Sequence, residues 1–68
     1  MIISTQSLEA SLIERSPMGV TEHDSLPGGW SAIVARKADK SRVLYFPTSE
    51  DPRITVALRN VAQKWIAA

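Results

Sequence analysis

The fold is decided by residues 30–46, which read WSAIVARKADKSRVLYF. In residues 30–36 apolar side chains occupy both alternating faces, and residues 42–46 are rich in aromatic and β-branched types. Each half therefore predicts a short β-strand. The intervening residues 37–41 are polar and few, so the two strands should close as an antiparallel hairpin with a loop of about three to five residues.

A helix is expected after the hairpin. Asp51 is a favourable N-cap residue, and Pro52 suits the first helical position, where a missing amide hydrogen costs nothing. An apolar stripe then recurs at helical spacing, formed by Ile54, Leu58, Val61, Trp65 and Ile66. The pattern predicts a helix over 52–66 that packs against the hairpin, with Trp30 and Trp65 on the two faces that meet.

Residues 5–14 are predicted to form an N-terminal helix. Leu8, Leu12 and Ile13 fall at helical spacing, and Ser4 or Thr5 can accept the first free amide protons. Every second residue from 8 to 12 is also apolar, which is the alternation of a strand. The good helix formers Leu, Glu and Ala favour the helix.

Residues 16–29 are interpreted as a long connecting segment, because prolines and glycines punctuate a polar run. Pro27-Gly28-Gly29 predicts a tight turn that leads into Trp30. Two strands alone make a marginal sheet, so a third strand is expected near residues 1–4 or 17–22, or from another chain. The expectation is one α+β domain over residues 1–68: an N-terminal helix, a long loop, and a hairpin packed against a C-terminal helix.

Composition excludes several classes of protein. The chain has 68 residues and no cysteine, so disulfides and thiolate metal sites are excluded and a reducing, cytoplasmic location is expected. No stretch resembles a membrane span or a signal peptide. His23 is the only histidine and is expected in a solvated polar loop. We therefore expect no enzyme activity, no metal or other cofactor and no small-molecule substrate.

Charge is distributed unevenly along the chain. Residues 1–34 carry four acidic residues and one basic residue, whereas residues 35–68 carry seven basic residues and three acidic ones. The asymmetry suggests a basic surface on the hairpin and the last helix, which would meet nucleic acid or an acidic protein surface. The alternative is that these charges are simply solvated. The candidate residues are Arg36, Lys37, Lys40, Arg42, Arg53, Arg59 and Lys64.

A second candidate surface is apolar. The hairpin carries apolar residues on both faces, which is more than one helix can readily cover, and the chain end is apolar as well. Tyr45, Trp65 and Ile66 are the candidate interface residues. A small domain without disulfides or metal also gains most from association, so the expected partner is another protein or a second copy of the chain.

From Gly29 onward the chain resembles the small amino-terminal DNA-binding domains of phage-type tyrosine integrases. The likeness rests on Gly29-Trp30-x-Ala32-x-Val34, the basic hairpin, and Phe46-x-Thr48-x-Glu50-Asp51 before a helix. It covers about 40 residues. The resemblance implies a three-stranded sheet that enters the major groove of DNA, with one helix behind it.

The short, cysteine-free chain is also similar in type to accessory proteins of phages and mobile elements. Many of these occupy the surface of a host enzyme or defence complex, such as a CRISPR effector. Two hypotheses follow: a protein-binding module that acts as an inhibitor or accessory factor or that pairs with itself, and a DNA- or RNA-binding module that uses the basic hairpin.

Overall fold

The structure, a computed structural model, describes residues 5–48 and 51–68. Its elements form an α+β arrangement, as expected from the sequence. They are α1 (Thr5–Glu14), β1 (Gly19–Leu26), β2 (Trp30–Arg36), β3 (Ser41–Pro47) and α2 (Pro52–Ala67). The bounds of α1 and β2 are those predicted. Ser4, one of the two N-cap candidates for α1, lies outside the described residues.

The strands form one antiparallel sheet in the order β1-β2-β3, with β2 in the centre. The β2–β3 register runs without interruption from Trp30 opposite Pro47 to Arg36 opposite Ser41. The third strand, β1, occupies most of the segment that the sequence presents as a loop, so the prediction of a long loop is wrong. The alternative of a hidden strand near 17–22 is confirmed. Its sequence signal is weak because a polar edge strand is held by backbone hydrogen bonds and needs no alternation of apolar residues.

A helix covers each face of the sheet. On one face α1 packs through Leu12 against Leu26, Ala32 and Val34. On the other, Ala62 of α2 packs with residues of β2 and β3, and this second cluster is formed by Ile33, Ala35, Phe46 and Ala62. The surplus apolar face of the hairpin is therefore covered in part, over Ala32 and Val34, by the chain's own first helix.

The two tryptophans lie on opposite sides of the sheet, so the prediction that they meet is wrong. Trp30 points to the same face as Ala32 and Val34, where α1 packs. Trp65 packs against the cluster around Ile33 on the face of α2. Strand alternation assigns Trp30 to one face, but it does not reveal which face each helix covers.

Only part of the predicted apolar stripe of α2 is buried. Ala62 is buried, and Leu58, Trp65 and Ile66 are half-buried against the sheet, whereas Ile54 and Val61 are exposed. The reason is the position of α2, which contacts β2 and β1 more than β3. The side of the helix that faces β3 is consequently left open.

The turn between β1 and β2 has the predicted form. Leu26 pairs with Trp30 across Pro27-Gly28-Gly29, and both glycines have positive φ, at 84° and 79°. Residues other than glycine rarely adopt this backbone conformation. A Cβ on Gly28 would also come within 3.3 Å of the Trp30 ring. The two glycines therefore let the chain reverse beside a large aromatic side chain.

Asp51 caps α2 as the sequence predicts. Its carboxylate accepts the Arg53 amide at 3.0 Å and also binds the Arg53 guanidinium, with Nη2 at 2.9 Å from Oδ2. The side-chain hydrogen bonds from Arg53, followed by the backbone bond, lower the pKa of Asp51 below its ordinary value. The charged form is thus favoured in the folded state.

Acid should remove the contribution of this cap. Because the pKa of Asp51 is lower in the folded state, its stabilisation is present above the unfolded pKa and is lost as pH falls through the folded one. We expect the difference in melting temperature between wild type and Asp51→Asn to be largest near pH 7 and to shrink towards about pH 3. Asp51→Ser, another uncharged cap, should behave in the same way. A pH-independent difference in thermal unfolding scans of both variants would contradict the assignment.

Candidate functional site

Arg36 is directed into the fold, although it ends the strand that leads to the basic hairpin loop. Its Nη1 donates to the Ile13 carbonyl at 3.1 Å and to the Ser16 carbonyl at 2.8 Å, at the end of α1. Its Nε is buried and has no hydrogen-bond partner among the described residues. Arg36 therefore connects α1 to the sheet, and its side chain is not part of the candidate basic surface.

Lys37 makes a similar contact with the end of α2, on the other face of the sheet. Its Nζ donates to the Ala68 carbonyl at 3.3 Å and lies 4.5 Å from the centre of the Trp65 ring. Adjacent residues thus place positive charges at the C-terminal ends of both helices, where the helix dipole is negative. Both helices consequently run in the same direction, with their C-terminal ends at the hairpin loop.

The other candidate cations are scattered. Arg53 pairs with Asp51 at one end of α2, and Arg59 pairs with Glu22 of β1, its Nε 2.6 Å from Oε1. Arg42 extends over Trp65, with Cζ 5.8 Å from the ring centre. The structure therefore brings only Lys37 and Arg42 together, around Trp65.

Lys40 and Lys64 are exposed, and neither forms an ion pair within residues 5–48 and 51–68. Lys40 lies in the hairpin loop and Lys64 in the last turn of α2. The candidate basic residues thus divide into those that contact groups of the same chain and those, Lys40 and Lys64, that form no ion pair among the described residues. Most of the charge that suggested a nucleic-acid surface already interacts with groups of the same chain.

The integrase-like arrangement is present only in part. The third strand that the resemblance implies exists as β1, and α2 packs behind the sheet. The opposite face, which such domains would present to the major groove, carries α1 through Leu12. A DNA contact through that face would therefore require α1 to move away.

An apolar groove lies between the start of α1 and the turn end of the sheet. It has a volume of about 220 Å³ and is lined by Leu8, Leu26, Pro27, Trp30 and Tyr45. Trp30 is 46% exposed and Tyr45 is 36% exposed, although both are large aromatic residues. We call these five residues the aromatic groove. The sequence pointed to Tyr45 but not to Trp30, whose position beside a Gly-Gly turn at the end of the sheet was the available signal.

Tyr45 gives the aromatic groove a polar rim. Partial burial raises the pKa of its hydroxyl above the ordinary value, and the negative charge of Glu9 on α1 raises that pKa further. A tyrosine hydroxyl is protonated at neutral pH, so it can donate a hydrogen bond. An amphipathic aromatic side chain of this kind is common where proteins bind proteins.

Ser16 and His23 come together, but not in a catalytic arrangement. The buried Ser16 hydroxyl donates to the Leu12 carbonyl at 2.7 Å and lies 2.7 Å from His23 Nε2. Since the single hydroxyl proton is used, Nε2 must be the donor to Ser16, which is the reverse of nucleophile activation. His23 is half-buried in β1, so its prediction as a solvated loop residue is wrong. The contact connects β1 to the end of α1.

A shallower apolar depression lies on the outer surface of α2. It has a volume of about 360 Å³, and its lining consists of Pro52, Arg53, Val56, Ala57 and Asn60. These residues are exposed on the side of the helix that faces away from the sheet. The depression lacks aromatic side chains, which separates it in character from the aromatic groove.

Comparisons with known proteins give no match, whether with protein-family models, curated proteins or solved structures. Neither helix among the described residues is long and apolar enough to cross a lipid bilayer.

Proposed function

We propose that this protein acts by binding another protein, with the aromatic groove as its main contact, and not by catalysis. The observation that carries the proposal is the joint exposure of Trp30 and Tyr45 in one apolar depression. Large aromatic side chains anchor many protein interfaces, and a domain this small has little reason to leave two of them open to water. An accessory or inhibitory protein that occupies a surface of a host complex would use such a groove.

The contacts of the positively charged side chains within the chain support a protein partner over nucleic acid. Nucleic-acid affinity comes mainly from Lys and Arg side chains that neutralise phosphates. Arg36, Arg53 and Arg59 are engaged with carbonyl or carboxylate groups of the same chain. Nucleic-acid binding is the alternative proposal, and it would depend on Lys40, Arg42 and Lys64.

The aromatic groove can be tested with one substitution and a matched control. Trp30→Ala should weaken capture of the partner at least about tenfold, because truncating an aromatic anchor removes a large share of the binding energy. Met18→Ala also truncates a large exposed apolar side chain, but outside the aromatic groove, and should bind like wild type. The partner is first identified by affinity capture and mass spectrometry, and binding of the purified pair is then measured by calorimetry.

Two outcomes would contradict the proposal. The first is that Trp30→Ala binds the purified partner as tightly as Met18→Ala, with both variants folded by circular dichroism. The second is that the captured material is nucleic acid, released steeply by salt, which would favour the alternative.

A further inference from the structure

The two edges of the sheet differ in how they resist pairing with another strand. The β1 edge carries the charged residues Glu22 and Asp24, and its register shifts between His23 and Leu26. Ser25, within this irregular stretch, has a positive φ of 62°. Charges and bulges are the usual means by which proteins protect an edge strand. The β1 edge is therefore poorly suited to strand addition.

The β3 edge is regular, and hydrogen bonds at both ends of the strand determine which of its N–H and C=O groups face β2. The Lys37 amide donates to the Lys40 carbonyl, and the Thr48 amide donates to the Gly29 carbonyl, both at 2.8 Å. Both pairs continue the β2–β3 register. Hydrogen-bonded pairs alternate in an antiparallel ladder, so the even-numbered residues of β3 bond to β2. The odd-numbered residues direct their N–H and C=O groups away from β2, towards the edge.

The side chains beside the β3 edge are mainly apolar. Because α2 is displaced towards β1, a small groove opens between α2 and β3, lined by Ala35, Arg42, Leu44, Val61, Ala62 and Trp65. Val61 is 53% exposed at its rim. The only charged residue of β3 is Arg42, and Pro47 stands at the end of the strand. Within the part of the chain that the structure describes, this edge has little protection against strand pairing.

We infer that a second copy of this chain pairs with the first, β3 against β3, antiparallel about a two-fold axis at Leu44. Leu44 is the midpoint of Ser41–Pro47, so this register overlaps the whole strand. The two sheets would join into one continuous sheet with helices on both faces. The inference goes beyond the proposed function, because it concerns the β3 edge and a second copy of the chain. The two surfaces share Tyr45, whose side chain lines the aromatic groove and whose backbone lies in β3.

The strand is complementary to itself in this register. Val43 and Tyr45 are odd-numbered, so across the axis they would exchange both of their outward backbone hydrogen bonds. The Ser41 amide would reach the carbonyl of Pro47, a residue that needs no acceptor because it has no N–H. A register displaced by one residue would set outward groups against inward ones and is excluded.

The side chains also favour a second copy. Arg42 of one copy would stand opposite Phe46 of the other, so no like charges face each other across the strands. The two Leu44 side chains would meet at the axis, with Val61 of each copy beside them, which removes the exposed apolar rim from water.

A matched pair of helix variants tests the association. In sedimentation equilibrium over a concentration series, wild type should form a dimer, and Val61→Glu should raise its dissociation constant at least about tenfold, because two carboxylates would face the axis. Val56→Glu makes the same change at a site 48% exposed on the outer side of α2, and should dimerise like wild type. A monomeric wild type, or equal weakening by both variants, overturns the inference.

A single cysteine tests the register. The chain has no cysteine, so Leu44→Cys places one thiol on each side of the proposed axis. Directly opposed residues that are not hydrogen-bonded lie close enough for a disulfide. Under mild oxidation Leu44→Cys should form a covalent dimer at least about tenfold faster than Val56→Cys. Equal rates would overturn the proposed register.

These results are separable from those for the aromatic groove. Trp30 lies outside the proposed dimer contact, so Trp30→Ala should leave dimerisation unchanged while it weakens capture of another protein. Val61→Glu should weaken dimerisation and leave capture of another protein unchanged. A dimer without a groove-dependent partner supports the inference alone, and a groove-dependent partner bound by a monomeric chain supports the proposed function alone.

Discussion

Replacement of Leu12 by alanine should lower the free energy of unfolding by about 3 kcal/mol. Leu12 is fully buried, at 0% exposure, and is the residue through which α1 enters the cluster of Leu26, Ala32 and Val34. The truncation removes the transfer free energy of the side chain and leaves a cavity that the flat sheet surface can fill only partly. Urea denaturation followed by circular dichroism would measure the loss.

Leu8→Ala provides the matched control, because it makes the same change on the same helix at a half-buried position. We expect it to cost about half as much. A domain of this size has only about 5 kcal/mol of stability, so both variants should also be measured with a stabilising osmolyte. Equal and small losses for the two variants would show that α1 does not cover the sheet as described.

Replacement of Arg36 by alanine should cost about 2 kcal/mol, because hydrogen bonds from charged donors are among the stronger ones. The variant leaves the carbonyls of Ile13 and Ser16 without the donor that joins them to β2. Arg36→Lys should recover only part of the loss, since one ammonium group cannot reproduce the planar geometry of the guanidinium. Thermal and urea unfolding of the three proteins would rank them.

Lys37→Ala separates this effect from simple charge removal. Lys37 contacts the Ala68 carbonyl at the surface, so its loss should cost less than about 1 kcal/mol and should fade in high salt. The cost of Arg36→Ala should persist in high salt, because its contact is partly buried. If the two variants behaved alike, Arg36 would not be the connection between α1 and the sheet.

The elements that carry strong local signals are predictable from the sequence. The hairpin follows from two apolar strands joined by a short polar loop, and the start of α2 follows from Asp51 and Pro52. The strand β1 was not predictable with the same security. Residues 21–25 of β1 are polar and show no alternation of apolar and polar side chains. Its neighbour β2 gives no help, because the side chains of a strand do not indicate which strand pairs with it.

The destinations of the charged side chains depend on helix placement, which periodicity does not specify. Arg36 and Arg42 belong to the same hairpin, yet one binds the end of α1 and the other extends over Trp65 on the opposite face. Likewise the apolar stripe of α2 was evident, but not the shift of the helix towards β1 that exposes Val61. Of the residues that line the aromatic groove, only Tyr45 is an interface candidate from the sequence, because a tryptophan such as Trp30 is expected in the core.

The central strand has a consequence for how this sequence can change over evolutionary time. Every residue of 31–35 is buried, because β2 is paired on both sides and covered on both faces. Ala32 and Ala35 face different helices, so a larger side chain at either would push one helix away. Distant homologues should therefore keep this small-large-large-small pattern between two variable helices, long after overall identity has been lost.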